Sequence, residues 1–170
     1  MKIIIKIKRE TYTNDDAIYN ALNYIFGFDQ PQPMPIRFYG NLGLTEYPPD
    51  PGNFIRSFEQ LREGSSHTIS RKLWHIIISF PTVFPQPYGR YFYFTDAVAR
   101  LFGPYYPVAY SYHKDNRHTQ REHSHFHLII CRTSASPALP PLSRKKLNSY
   151  LPQIIAIAHQ YGLTTQIIGQ

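Results

Sequence analysis

Histidine is concentrated in one short stretch of this 170-residue sequence. Five of the eight histidines lie between residues 113 and 127, and the stretch ends in His123-Ser-His125-Phe-His127. Residues two apart on a β-strand point to the same face, so His125 and His127 would lie side by side. Imidazole is the commonest metal ligand near neutral pH. The spacing predicts a divalent metal site, with a cluster of ordinary surface histidines as the alternative.

The third ligand of such a site is more easily supplied by a second strand. Three successive same-face residues of one strand span about 13 Å between their outer Cα atoms, which is too far for easy convergence on one ion. This argues against His123 beside His125 and His127, and it favours His113 from a neighbouring strand. His118 and His123 stay open as alternatives.

Length, cysteine content and hydropathy limit the class of protein. A chain of 170 residues is most simply one domain, residues 1–170, with a core of its own. A single cysteine, Cys131, excludes an internal disulfide and indicates a reducing compartment. No run approaches the ~18 apolar residues of a membrane span, and the first residues alternate Lys and Ile. We therefore expect a soluble, cytoplasmic protein.

The charge balance is basic. The formal net charge is +7, the pI is about 9.5, and the chain has 14 tyrosines and 11 phenylalanines. Positive charge attracts polyanions and aromatic rings stack on unpaired bases, so this composition suits single-stranded nucleic acid. An ordinary basic domain with aromatic residues in its core is the alternative.

The histidines must be positioned by a sheet. Alternating or continuous apolar residues predict strands at 2–8, 73–80, 107–113, 125–131 and 164–168. Helical spacing of apolar residues predicts helices at 13–27, 54–63, 93–102 and 143–161. The predicted class is α+β, with a central, largely antiparallel sheet flanked by helices. The Pro- and Gly-rich residues 29–54 are expected to form a long functional loop.

Three segments together resemble a known family. They are Asn23-Tyr24-Ile25-Phe26, the strand Trp74-His-Ile-Ile-Ile-Ser-Phe-Pro81, and His113-Lys-Asp115 followed by His125-Phe-His127. They resemble the three motifs of relaxases, the mobilisation nucleases of plasmids and integrative elements within the HUH endonuclease superfamily. The resemblance spans residues 1–168, and its most specific part is the histidine motif.

The resemblance implies a reaction. A relaxase nicks single-stranded DNA at an origin of transfer, forming a 5′-phosphotyrosyl intermediate and a free 3′-OH beside a metal held by three histidines. By this resemblance Tyr24 is the nucleophile, with Tyr19 as the alternative, and Asp115 orients a ligand or helps to activate the tyrosine. Replication initiators and transposases of the superfamily instead place the tyrosine after the histidines, which would implicate Tyr150 or Tyr161.

The resemblance also implies partners and a cofactor. The metal would be Mn²⁺ or Mg²⁺, although imidazoles accept other transition metals readily. Accessory relaxosome and coupling proteins would act with the nuclease. The chain is either a fragment of a longer relaxase or a compact member. A noncatalytic single-stranded DNA-binding module and a structural metal protein remain the other classes.

Several further residues are candidates for contacting DNA. Ser79 could contact a DNA phosphate or position a ligand, or be a strand-end serine without such a role. Arg71, Lys72 and Lys145 could contact phosphates, although short charge runs are commonly solvated surface. The Tyr- and Pro-rich segments 38–54 and 85–93 could clamp single-stranded DNA by stacking, or be ordinary surface loops. His75 is expected to be a hydrogen-bonded sheet histidine without a role in the site.

Overall fold

One six-stranded sheet organises the molecule. The computed structural model describes residues 1–27, 39–42, 51–65, 70–81, 89–115 and 122–169. The strands are β1 (Lys2–Ile7), β2 (Tyr39–Leu42), β3 (Leu73–Ser79), β4 (Val108–Asp115), β5 (Glu122–Cys131) and β6 (Thr164–Ile168). The helices are α1 (Ala17–Phe26), α2 (Pro51–Glu63), α3 (Gly89–Arg100), α4 (Arg144–Ser149) and α5 (Leu151–Gln160).

The strand order across the sheet is β2-β4-β5-β3-β1-β6. All neighbouring strands are antiparallel except β1 and β6, which are parallel. The predicted α+β class and largely antiparallel sheet are therefore confirmed. Because β3 and β5 lie in the middle of the order, residues on them are covered from both sides.

Helices cover both faces of the sheet. On the first, here called the α5 face, strand residues pack with α3, α4 and α5 in the larger core, which includes Ile5, Ile76, Phe126 and Ile154. On the second, the α1 face, α1 and α2 form a smaller core with the ends of β3, β4 and β5. Alternation along β5 sends Phe126 to the α5 face and its neighbours His125 and His127 to the α1 face.

Helix α1 begins later than the sequence predicts. It starts at Ala17, and Asp16 makes no side-chain cap hydrogen bond. Asp15, expected in a capping segment, instead forms an ion pair with Lys72, with 2.8 Å between Oδ1 and Nζ. The helix ends as expected at Gly27, whose φ of 74° is left-handed and whose N–H donates to the Asn23 carbonyl.

Other boundaries also differ from prediction. The expected helix at 143–161 is divided into α4 and α5 at Tyr150, because Pro152 lies in the first turn of α5 and cannot donate a backbone hydrogen bond to a preceding turn. The expected loop at 29–54 contains β2 and the start of α2, so that prediction is wrong there. No helix in the described ranges is long and apolar enough to cross a membrane.

The described residues of the two segments that were expected to clamp DNA lie in helices and a strand and not in loops. Residues 39–42 form β2, residues 51–54 belong to α2, and residues 89–93 belong to α3. The rest of that prediction falls on residues 38, 43–50 and 85–88, which lie outside the described residues.

Candidate functional site

The three predicted metal ligands are brought together by the pairing of two strands. His113 on β4 lies directly opposite His125 on β5, and His127 lies opposite Ser111. All three imidazoles project from the α1 face, with only 2%, 7% and 2% of His113, His125 and His127 exposed. Directly paired residues have Cβ atoms about 5 Å apart, so cross-strand pairing supplies the ligand that one strand cannot.

The spacing of the ring nitrogens is close to that of a metal site. One nitrogen from each of His113, His125 and His127 lies within 4.8 Å of the others. Two nitrogens that bind one ion at about 2.1 Å are at most about 4.2 Å apart. The three imidazoles would therefore have to approach one another to hold one ion.

Tyr24 stands over this cluster from helix α1. Its ring centroid is 5.3 Å from that of His127 in an edge-on arrangement, and 6.0 Å from that of His113. Tyr24 is 39% exposed, so its ring borders both the histidines and solvent. Tyr19 is five residues earlier, about 140° away around the helix axis, and therefore does not share this position.

The end of α1 is attached to the histidine strand by a buried carbonyl. The Ile25 oxygen accepts hydrogen bonds from His113 Nε2 and from Ser111 Oγ, each at 2.7 Å. Carbonyls in the last turn of a helix have no partner within the helix, so Ile25 can serve as this anchor. With Nε2 of His113 donating, Nδ1 is the ring nitrogen suited to a metal.

Hydrogen bonds connect His127 to His75 and His75 to Tyr12. His127 Nδ1 is 2.7 Å from Nε2 of His75, and Nδ1 of His75 is 2.8 Å from the hydroxyl of Tyr12. The expectation that His75 is a hydrogen-bonded sheet histidine agrees with these contacts, but His75 also touches the site. Burial, followed by the charge of Lys8, lowers the pKa of His75 to about 3, so its ring is neutral near pH 7.

His127 has one nitrogen that suits a ligand. Its Nε2 is buried and has no hydrogen-bond partner within the described part of the chain. Burial is the main cause that lowers the pKa of His127, and the charge that His75 would carry is the next. A buried, neutral imidazole nitrogen without a partner is costly unless something binds it. A divalent cation could be bound by this nitrogen together with one ring nitrogen each from His113 and His125.

A cavity of about 510 Å³ opens beside the cluster. Its walls include Tyr24, Ala21 and Asn20 from α1, together with Tyr12 and Ile77. Asn20 and Tyr24 are four residues apart and so share one side of the helix. The cavity combines apolar surface with amide and hydroxyl groups, a lining that suits a nucleotide.

Of the other predicted residues near the histidines, only Ser79 has a described side chain. Ser79 on β3 lies opposite His125 and is partly buried. Asp115 pairs with Glu122 after an irregularity in β4, and its side chain is outside the described part, as is that of His123. His118 lies outside the described residues. The proposed contributions of Asp115, His118 and His123 therefore remain predictions.

The predicted basic contacts are not gathered at the histidines. Lys72 has only 4% of its side chain exposed and is bound to Asp15, which is unlike an open phosphate-binding lysine. Arg71 stacks on Trp74, with its Cζ 4.1 Å from the ring centroid, and Trp74 belongs to the core of the α5 face. Lys145 is exposed at the start of α4. DNA contacts by Lys72, Arg71 and Lys145 therefore remain predictions.

The alternative tyrosines are on the wrong side of the sheet for this cluster. Tyr150 is 6% exposed and belongs to the core of the α5 face, where its ring packs on Phe102. Tyr161 packs against the same core and contacts Phe94. The sheet itself separates both hydroxyls from the three histidines.

Sequence reasoning missed three contributors to the site: Tyr12, Ser111 and the Ile25 carbonyl. Ser111 shares the alternation that sends His113 to the α1 face, a signal that was present in the sequence. Tyr12 and the carbonyl carry no comparable signal, because their contacts join residues 63 and 88 positions apart.

Comparison with known proteins identifies the family of this chain. Residues 40–162 match the family described as "Relaxase: MobA/VirD2-like, nuclease domain". A solved structure reported under "Molecular Basis of Vancomycin Resistance Transfer in Staphylococcus aureus" is similar over 100% of this chain and 99% of its own, with 13% identity and a TM-score of 0.54. No curated protein gives a significant match.

The class of protein follows from these observations. The fold is the α+β fold of a nuclease domain that acts on DNA. The family match covers most of the chain, and the protein belongs to the MobA/VirD2-like relaxases, which nick DNA.

Proposed function

We propose that this protein cleaves one strand of DNA at an origin of transfer, using Tyr24 as nucleophile and a divalent metal, for conjugative mobilisation. The observation that carries this proposal is the position of the Tyr24 ring, 5.3 Å from His127 and 6.0 Å from His113. A tyrosine that borders solvent and faces clustered, buried imidazoles can approach a phosphate held beside them. The substrate would be single-stranded, because unpaired DNA can bend into the cavity.

The reaction is a transesterification. The Tyr24 oxygen forms a bond to phosphorus and loses its proton to solvent or a nearby base. The bond between phosphorus and the 3′ oxygen breaks, and that oxygen leaves as a 3′-OH once it is protonated. The part of the strand that lies 3′ to the nick stays attached to Tyr24 through its 5′ phosphate, as a phosphotyrosyl ester. One ester replaces another, so the 3′-OH of a strand can later attack and reseal the DNA.

His113, His125 and His127 would hold the metal. When bound by these residues, a divalent ion would supply positive charge to offset the negative charge that develops on the phosphate. The unpartnered Nε2 of His127 supports the fit. Three imidazoles favour transition metals such as Mn²⁺ over Mg²⁺. Asp115, two residues after His113, would orient a ligand or help to activate the tyrosine.

The protein's own groups position the two reactants. The Ile25 carbonyl, bound by His113 and Ser111, holds the residue next to Tyr24 against the ligand strand. The cavity between α1 and β3 would take a nucleotide beside the scissile phosphate, and Ser79, opposite His125, would contact a phosphate. The net charge of +7 would draw the DNA towards the protein. The reaction would take place in the cytoplasm with accessory relaxosome and coupling proteins.

A covalent-adduct assay tests the proposal directly. Labelled single-stranded oligonucleotides carrying candidate origin sequences are incubated with the protein and Mn²⁺, and then resolved on a denaturing protein gel. We expect a labelled adduct with the wild type and at least about a hundredfold less with Tyr24→Phe or His125→Ala, since one removes the nucleophile and the other a ligand.

Tyr19→Phe is the matched control, because Tyr19 is on the same helix and is exposed to a similar degree, 43% against 39%. This variant is expected to form the adduct at the wild-type level. Adduct formation that survives Tyr24→Phe would contradict the assignment of the nucleophile. DNA binding with no adduct for any protein would favour the noncatalytic binding module.

A further inference from the structure

The hydrogen bonds that link Tyr12, His75 and His127 in a chain have no role in the reaction proposed above. Both links of this chain are short, 2.8 Å from Tyr12 to His75 and 2.7 Å from His75 to His127. His75 and His127 are 4% and 2% exposed, so the contact between the two rings is shielded from water. A buried polar contact of this kind is sensitive to which atom carries each hydrogen.

The hydrogens along this chain are constrained by the metal site. A metal-binding Nε2 of His127 must carry no hydrogen, so a neutral His127 carries its hydrogen on Nδ1 and donates it to Nε2 of His75. A neutral His75 that accepts at Nε2 carries its own hydrogen on Nδ1 and donates it to the Tyr12 oxygen. Each nitrogen and oxygen then has a consistent role, and no group is charged.

Tyr12, which makes the outer contact of this chain of hydrogen bonds, has an unusual backbone conformation. Tyr12 has a φ of 47°, and within the described ranges it is the only residue other than glycine with positive φ. Aromatic residues avoid this region, so its occupation indicates that the surrounding contacts enforce it. The Lys72 N–H donates to the Tyr12 carbonyl, and the Lys8 N–H donates to the His75 carbonyl, each at 2.9 Å. These two backbone hydrogen bonds hold the segment from Lys8 to Tyr12 beside β3.

We propose that His75 and Tyr12 are positioning residues that hold His127 with its Nε2 turned to the metal and free of hydrogen. This inference rests on the metal site of the proposed function and deepens it. Ligand histidines usually donate their second ring nitrogen to a carboxylate, a backbone carbonyl or water. Here the acceptor is a neutral imidazole, which orients the ligand without adding negative charge beside the DNA phosphate.

Cobalt titration combined with NMR tests this inference. Co²⁺ affinity is measured from its visible absorption in the wild type, His75→Leu, His75→Gln and Tyr12→Phe. The imidazole tautomers are read in the metal-free, ¹⁵N-labelled proteins. Leucine removes the acceptor, whereas the glutamine carbonyl can replace it. His159→Leu is the matched control, because His159 is an exposed histidine on α5.

We expect His75→Leu to weaken Co²⁺ binding by about 10- to 100-fold and to abolish the Nδ1–H tautomer of His127. His75→Gln should recover most of the affinity, Tyr12→Phe should weaken it about threefold, and His159→Leu should have no effect. Folding of each variant is checked by circular dichroism. Tyr12→Phe removes only a hydroxyl and tests the outer link of the chain if His75→Leu does not fold.

Wild-type affinity in a folded His75→Leu protein would overturn the proposal. The same conclusion would follow if His127 lacked the Nδ1–H tautomer in the wild type. A wild type that shows the tautomer but binds no Co²⁺ would instead refute the metal part of the proposed function, while upholding the orientation of His127 by His75.

Discussion

At the scale of single residues, the site depends on imidazoles kept neutral by burial. Desolvation penalises the charged form of a buried histidine and lowers its pKa, as it does for both His75 and His127. A neutral imidazole can bind a metal or accept a hydrogen bond, whereas a protonated one can do neither. Burial therefore makes these side chains suitable ligands and partners before any ion is present.

Burial makes the histidines suitable for binding, but it makes the single cysteine unreactive. Cys131 is fully buried at the end of β5, and burial raises its pKa to about 12. Because only the thiolate reacts with disulfide reagents, native protein at pH 8 should react at least about a thousandfold more slowly than an exposed thiol. Ellman's reagent would measure this rate.

The control for this prediction is the unfolded chain. In guanidinium chloride the same reagent should detect one thiol per chain at the rate of a free cysteine. Fast labelling of the native protein would show that Cys131 is more accessible than the structure indicates. Oxidative regulation through Cys131 is not expected for the same reason.

At the scale of elements, helix α1 and strand β4 are coupled through one carbonyl. The Ile25 carbonyl accepts hydrogen bonds from Ser111 and His113 on β4, and Ile25 is adjacent to Tyr24. The proposed nucleophile and one proposed ligand are therefore linked through the same backbone carbonyl. Gly27, in a left-handed conformation, ends α1 two residues after Ile25.

Removing the Ser111 hydroxyl, one of the two donors to the Ile25 carbonyl, should weaken the attachment of α1 to β4. Ser111→Ala is expected to lower the free energy of unfolding by about 1 kcal/mol, the usual worth of a neutral hydrogen bond. If the anchor also positions Tyr24, the rate of adduct formation should fall about fivefold, which is the same energy expressed in the barrier. Chemical denaturation and single-turnover cleavage give the two values.

Ser149→Ala is a matched control for this change. The Ser149 hydroxyl also donates to a backbone carbonyl, that of Lys146 at 2.7 Å, but it is exposed at the end of α4. This variant should leave the cleavage rate unchanged. Equal loss of rate in both variants would show that the effect of Ser111→Ala does not arise from the anchor.

At the scale of the whole molecule, the sheet separates two environments. The α5 face is filled by a continuous apolar core, whereas the α1 face combines a smaller core with the histidine cluster and the cavity. The larger apolar core and the candidate functional site thus lie on opposite sides of one sheet. A buried tyrosine on the α5 face meets apolar side chains instead of a substrate.

This separation predicts the behaviour of the alternative tyrosines. Tyr150→Phe and Tyr161→Phe should both form the DNA adduct at the wild-type level, because the sheet lies between their hydroxyls and the histidines. The same covalent-adduct gel makes the comparison, with Tyr24→Phe as the inactive reference. Loss of the adduct in either folded variant would contradict the assignment of the site to the α1 face.

Much of the sheet was predictable because the signals are local. Alternation in β1 and the apolar runs of β3 and β5 identify strands within a few residues. β2 was missed because its four residues include Gly40 and Asn41, which are uncommon in strands, and pairing with β4 supplies what local preference lacks. The break before α5 was missed although Pro152 marked it.

The amino-acid sequence specifies the chemical types and one spacing: two histidines on one strand face, and a tyrosine on an early helix. The pairing of His113 with His125, the contact of the Tyr24 ring with His127 and the hydrogen bond between Tyr12 and His75 become apparent only in the folded chain. The two kinds of information differ in their range along the chain. Side-chain alternation is a property of consecutive residues, whereas these contacts depend on strand register and on helix docking, which the packing of the entire chain establishes.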